Sequence, residues 1–200
     1  MSSGKKTAPT VSVLAEHVSD HLSVFVVAED TDAKRPANGG LRLLNYPSDE
    51  ACIADGQRLA GLMTNKHDLY GTGFAGGKIV ARAAEPDAVK DELISVTAEL
   101  LESLDGAMIT GCDLNTSLED MERLTALTPH VLAAVGSPVD ASAATAHGTL
   151  GAVEAVLDKD LNDARPGRAL VHGCGAVGGT VARHLVEHGW TVFTLSLIHI

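Results

Sequence analysis

The chain has 200 residues, enough for one large domain or two small ones, and 45% of them are apolar, as in a folded globular protein rather than a disordered one. Fifteen basic residues against 26 acidic ones leave a net charge of −11, which speaks against a nucleic-acid-binding or anionic-membrane surface. No apolar run approaches the length of a membrane span, and three scattered cysteines, Cys52, Cys112 and Cys174, point to reduced thiols in a cytoplasmic setting, not to a disulfide framework or a zinc knuckle.

Met1 to Pro9 is small, polar and basic with no apolar stretch behind it, and is expected to be a frayed, unprocessed terminus. Ser23 to Ala28 is short and β-branched, which predicts a strand. The charged segment Glu29 to Arg35 and the breaker cluster Pro36-Ala37-Asn38-Gly39-Gly40 follow as loops, before a second strand at Leu41 to Leu44. Ser48 can cap a helix over Ala51 to Asn65, whose apolar residues Ile53, Leu59, Leu62 and Met63 recur at helical spacing. Lys66 then stands at or just beyond the helix end, Gly71 to Gly77 reads as a glycine-rich loop, and Lys78-Ile79-Val80-Ala81 opens a strand. A Gly-Gly pair lets the backbone pass close to a ligand, so Lys78, directly behind Gly76 and Gly77, could be brought to a bound molecule; the alternative is a pair of solvated surface lysines.

A helix is expected from Pro86 to about Leu104, with Val89, Leu93, Val96, Leu100 and Leu101 on one side. A short strand, Ala107 to Thr110, ends in Gly111-Cys112-Asp113, and Asn115, Thr116 and Ser117 can cap a helix over Leu118 to Leu127. Asp113 has two readings: a capping or turn aspartate, or a ligand-facing carboxylate at the carboxyl end of a strand in an open α/β sheet. Val131 to Val135 is a further apolar element, Gly136 to Ala144 a linker, and Thr145 to Leu157 a helix.

Arg168 to His172 is a strand pattern. Gly173-Cys174-Gly175-Ala176-Val177-Gly178 then opens a helix over Thr180 to His188, and Trp190 to Thr194 is the next strand. This is G-x-G-x-x-G in the strand, turn, helix, strand context of dinucleotide binding: the first glycine for the turn, the second for close approach of the pyrophosphate, the third for helix packing, with the phosphate at the helix N-terminus. The chain closes on Leu195-Ser196-Leu197-Ile198-His199-Ile200, six residues that the codons CTG TCT CTT ATA CAC ATC would encode. That string resembles a transposase end sequence used in making DNA sequencing libraries. Residues 195–200 are therefore expected to be non-native, and the natural chain to continue past Thr194.

Several motifs in order carry a resemblance: Gly39-Gly40-Leu41-Arg42, Met63-Thr64-Asn65-Lys66, Gly76-Gly77-Lys78, Asp113 followed by Thr116 and Glu119-Asp120-Met121, Thr145-Ala146-His147-Gly148, and the glycine turn. From about Ser23 to Thr194 the chain resembles the Glu/Leu/Phe/Val amino acid dehydrogenase family, closest to its leucine/phenylalanine branch, as a C-terminally truncated fragment. It departs from the family at His67 to Ala75, which is bulkier and more polar, and at Ala176, where an asparagine is usual.

The resemblance implies an α/β protein with an N-terminal catalytic domain followed by the start of a Rossmann-type, doubly wound NAD(P)-binding domain. The first, residues 1–140, would bind substrate and oligomerise; residues 141–200 would hold a linker helix and the first βαβ of the second. It implies reversible oxidative deamination of a hydrophobic or aromatic L-amino acid to the 2-oxo acid and ammonia with NAD, NADP being left open, by a homo-oligomer when full length. The implied partner is a small-molecule amino acid or 2-oxo acid, with neither nucleic acid nor membrane. By the same resemblance Lys66 takes the substrate carboxylate, Lys78 handles the proton of the attacking water, and Asp113 exchanges protons with the amino group. Lys78 needs a pKa lowered towards neutrality, which burial and the neighbouring Lys66 would bring about. Gly40 and Met63 line the substrate site, Asn38 and Gly111 its side-chain pocket, with Gly111 leaving room. Gly173, Gly175, Ala176, Val177, Gly178 and Thr145 serve the cofactor, and no metal is expected, His67, His147 and His172 having no ligand spacing. Two other readings stand beside this one: a non-catalytic nucleotide-binding or regulatory protein keeping the fold, and a different α/β oxidoreductase with surface lysines.

Overall fold

A computed structural model describes residues 10–29, 34–160 and 165–195. The expected frayed terminus and residues 196–200 of the adapter-like end lie outside the described residues, as do positions 30–33. Two compact units make up the chain, Met1–Val135 and Gly136–Ile200.

In the first unit, β1 (Val11–Val18) and β2 (Ser23–Glu29) pair antiparallel, and β2 pairs antiparallel with β4 (Ala75–Arg82). β3 (Ala37–Leu44) runs parallel to both β4 and β5 (Met108–Cys112), giving the order β1-β2-β4-β3-β5. Helices cover both faces, which is why β2 reads as an unbroken apolar run. Its Val24, Val26 and Ala28 join a core with Leu93, Ile94 and Leu101 of α2 (Lys90–Ser103) and Met121 and Leu124 of α3 (Leu118–Thr125). Phe25 and Val27 turn the other way, to Val80 and to Cys52 of α1 (Asp49–Tyr70).

Several element boundaries differ from those read in the sequence. β1 was not expected at all. Helix α1 is capped by Ser48, whose Oγ accepts the Ala51 N–H at 3.2 Å. It runs on past Asn65 because no breaker intervenes before Gly71, which closes it at φ 60. Lys66 therefore lies within the helix. The glycines at 39, 40, 76 and 77 are not loop residues but strand residues, so β3 begins at Ala37, β4 at Ala75, and Lys78 sits inside β4 rather than where loop becomes sheet. Their smallness serves packing: a Cβ on Gly76 would fall 2.2 Å from both the Ala60 carbonyl oxygen and Thr64 Oγ1 of α1, and one on Gly39 would fall 1.7 Å from the Gly77 carbonyl oxygen. The helix expected over Pro86 to Leu104 is a 3-10 turn, Pro86–Val89, leading into α2. Val131 to Val135 supplies only a parallel bridge from Val131 to Thr110.

The second unit holds α4 (Ala141–Asp160), β6 (Arg168–His172), α5 (Ala176–Glu187) and β7 (Thr191–Leu195), with β6 and β7 parallel. α4 starts four residues before Thr145, because the Asp140 carboxylate accepts the N–H groups of Ser142 (2.8 Å) and Ala143 (3.0 Å). α5 starts at Ala176 rather than Thr180, placing Gly178 and Gly179 in its first turn. Ala146, Leu150, Val181 and Leu185 form the core, with Ala169, Val171 and Val192 of the strands packed on it. The alternate strand positions Leu170 and Phe193 are 68% and 55% exposed.

The helix–strand contact at Gly76 gives a stability test. Gly76→Ala lowers the unfolding free energy by about 1–3 kcal/mol through overpacking. Gly61→Ala, in α1 where a Cβ meets nothing within 4 Å, raises it by about 0.5–1 kcal/mol. Urea unfolding of the two variants reads both; equal midpoints would show that the close approach of α1 to β4 does not limit stability.

Candidate active site

Alternation along β4 turns Gly76 and Val80 to the α1 side, and Lys78 shares their parity. It is 5% exposed, which removes it from the class of surface lysines. Its partner comes from two strands away. Asp113 directly follows β5, with β3 lying between β5 and β4, so about 10 Å separates the two backbones. The carboxylate reaches across β3 at Gly40, where a Cβ would fall 2.8 Å from Asp113 Cβ and 2.7 Å from the Cys112 carbonyl oxygen. Thr116 fastens this turn to β3: its Oγ1 accepts the Asp113 N–H at 2.8 Å, and its hydroxyl donates to the Leu41 carbonyl at 2.8 Å. The following helix is capped by Ser117 in a capping box with Asp120, so Asp113 is not its cap.

Lys78 Nζ donates to Asp113 Oδ2. Arg42 of β3 donates to the same oxygen through Nε at 2.8 Å, and to Asp55 Oδ2 of α1 through Nη1 at 3.1 Å. Tyr46 Oη donates to Asp55 Oδ2 at 2.8 Å and Arg58 Nη2 to Oδ1 at 2.7 Å. Burial pushes the Lys78 ammonium below the ordinary lysine pKa. The hydrogen bond and charge of Asp113 oppose this, and the Arg42 guanidinium adds to it. Burial acts to raise the Asp113 carboxyl, but the bonds from Arg42 and Lys78 outweigh it and hold the pKa low.

Arg42 is the cation that acts on the Lys78 ammonium, and Lys66 is not among the groups that do. Lys66 is exposed on α1 and takes no part in these hydrogen bonds. Arg42 belongs to the motif Gly39-Gly40-Leu41-Arg42, which gave it no role of its own. Its signal was a charge inside the apolar run Leu41 to Leu44, on the half-buried face of the strand.

Met63 is half-buried on α1. Gly111 leaves no open room, because a Cβ there would fall 2.7 Å from the Leu132 carbonyl oxygen, beside the bridge to Thr110. Asn38 Nδ2 donates to the Ile109 carbonyl at 3.1 Å, and its own carbonyl lies 3.2 Å from Nε2 of buried His67, whose Nδ1 lies 2.7 Å from Thr72 Oγ1. Cys52 is buried, and burial pushes its thiol up to about 12.

In the second unit, Gly173 makes the turn at φ 92. Gly175 is the N-cap of α5, supplies no side-chain cap, and has open space where a Cβ would stand. Gly178 is required by packing, since a Cβ would fall 1.9 Å from the Gly173 carbonyl oxygen. Ala176 opens the helix, and Val177 packs on the unit's core. An uncapped helix N-terminus behind an open glycine fits a dinucleotide pyrophosphate. Thr145 is exposed on α4, its hydroxyl bonded to the Ala141 carbonyl at 2.8 Å.

Similar proteins bear on this arrangement. The chain is 31% identical over 182 residues to leucine dehydrogenase of Bacillus subtilis, covering 88% of this chain and 50% of that one. It is 31% identical over 174 residues to L-tryptophan dehydrogenase of Nostoc punctiforme, covering 86% and 49%. Among solved structures it matches L-tryptophan dehydrogenase from Nostoc punctiforme with TM-score 0.65 and 28% identity, over 96% of this chain and 54% of that one. The hetero-hexameric glutamate dehydrogenase from Thermus thermophilus shares the fold at TM-score 0.75 and 24% identity, over 94% and 50%. The chain therefore spans about half the length of the curated relatives it matches. With residues 16–130 matching the family described as Glu/Leu/Phe/Val dehydrogenase, dimerisation domain, the chain belongs to the Glu/Leu/Phe/Val dehydrogenase family.

Proposed function

We propose that this protein catalyses reversible oxidative deamination of a hydrophobic or aromatic L-amino acid, of the Leu, Val, Phe or Trp class, to the 2-oxo acid and ammonia. The observation that carries this reading is the pairing of buried Lys78 with half-buried Asp113, assembled across β3 in a chain of this family. Relatives named leucine, valine, phenylalanine and tryptophan dehydrogenases support the substrate class. None of them favours a non-catalytic protein, and the burial of Lys78 disfavours the reading in which both lysines are surface groups.

Lys66 would bind the substrate's α-carboxylate, as an exposed cation on α1, with Gly40 and Met63 lining the site. Asp113 first takes a proton from the substrate ammonium; loss of a hydride from Cα then leaves an iminium, to which water adds. Lys78 as a neutral amine takes the proton of that water. As an ammonium it then polarises the carbinolamine oxygen while Asp113 returns its proton to the leaving amino group, and 2-oxo acid and ammonia separate as the hydroxyl proton passes to solvent. NAD, or NADP, supplies the hydride acceptor; Gly173, Gly175, Ala176, Val177 and Gly178 would hold its pyrophosphate, with Thr145 beside the nicotinamide. A glutamate side chain would need a further cation that the sequence does not identify. The reading includes two domains, residues 1–140 for substrate and assembly and 141–200 for cofactor, with a homo-oligomeric enzyme in the cytoplasm. No helix among the described residues is long and apolar enough to cross a membrane.

The complete protein, assayed with NAD and a panel of L-amino acids, forms NADH with an apolar or aromatic one. Lys78→Met lowers kcat about 100- to 10,000-fold with the fold retained, and turnover within about tenfold of wild type would refute the assignment. Because the Lys78 pKa lies below its ordinary value of 10.5, the neutral amine dominates from a lower pH. Deamination therefore rises with pH and levels off before 10.5; a limb centred at or above that value would contradict the burial argument. The 200-residue chain, with free edges on β6 and β7, turns over little and self-associates. Robust turnover by a monomeric 200-residue chain would overturn this expectation.

A further inference from the structure

Arg42 bonds Asp113 directly and yet has no task in the chemistry above. Its side chain is largely buried and bonded to two carboxylates at once, Asp113 through Nε and Asp55 through Nη1. Asp55 is itself held, by Tyr46 and Arg58. A planar guanidinium shared in this way has little rotational freedom, unlike a lysine, which carries one compact head group. The consequence falls on Asp113. Both of its cationic donors, Lys78 Nζ and Arg42 Nε, bond Oδ2, and no hydrogen bond to Oδ1 is found among the described residues. A carboxylate that exchanges a proton with an amine needs one oxygen that is free, ionised and fixed in direction.

We infer that Arg42 is a positioning residue: clamped by Asp55, it occupies Oδ2 of Asp113 together with Lys78 and so reserves Oδ1 for the amino group of the substrate. This rests on the proposed deamination for its last clause only. The charged groups that bear on Asp113 are Lys78 from β4 and Arg42 from β3, with Asp55 of α1 behind Arg42. Loss of Arg42 leaves Lys78 as the sole charged donor to Oδ2 and frees the carboxyl to turn. Lysine at this position keeps the charge but loses the fork.

Carboxyl-labelled aspartate in the 200-residue chain, titrated by NMR with Asp113→Asn marking the resonance, tests the first half. In Arg42→Met the Asp113 midpoint rises by about one pH unit, a tenfold change in proton affinity; an unchanged midpoint in a folded variant overturns the inference. Should Arg42→Met not fold, Arg42→Gln, which keeps a planar donor without the charge, is read by the same criterion. Turnover by the complete protein tests the second half: Arg42→Lys lowers kcat about tenfold or more with KM changed less than about threefold. Wild-type kcat in Arg42→Lys would reduce Arg42 to a counter-charge and overturn the positioning role. If wild-type protein turns over no amino acid, the deamination reading falls, while the titration still decides whether Arg42 governs Asp113.

Discussion

A lysine ammonium buried at the centre of a sheet is the constraint on which the first unit depends. Its desolvation is tolerable only if a carboxylate reaches it, and that carboxylate leaves a strand that is not a neighbour. Everything between must give way, and Gly40 is the residue that does so. The short turn after β5, latched by Thr116 to the Leu41 carbonyl, aims Asp113 back over the gap. Arg42 and Asp55 then complete the charge pattern, so that one cluster draws residues from β3, α1, β4 and the loop after β5.

Much of this is legible in the sequence. The apolar run at 23–28, the Ser48 cap and the glycine turn at 173–178 each carry a local cause, and each appears where that cause puts it. The candidate pair Lys78 and Asp113 was also visible, through the motifs around it. Less legible was the meaning of the glycines. At 39–40 and 76–77 they read as loop signals, because a glycine that breaks a turn and a glycine that lets two backbones touch look alike in one dimension. Only the partner distinguishes them, and the partners are remote: Ala60 and Thr64 for Gly76, Cys112 and Asp113 for Gly40. The misplacement of Lys78 at a loop end followed directly from this.

Arg42 shows the same limit for charge. The sequence suggested Lys66 as the cation acting on Lys78 because both flank one glycine-rich stretch, whereas pairing of β3 with β4 brings in Arg42. Gly111 shows it for space. A missing side chain suggested room, yet the backbone of Leu132, 21 residues on, uses that room. In each case long-range pairing overrode a local inference, which is what a sheet of non-sequential strand order does.

The network around Asp113 holds three cations, Lys78, Arg42 and Arg58, against two carboxylates, Asp113 and Asp55, in a chain whose net charge is −11. These five groups form a single chain of ion pairs, Lys78–Asp113–Arg42–Asp55–Arg58, in which each member bonds the next. Arg42 stands in the middle of it, so its loss divides the chain into two separate pairs.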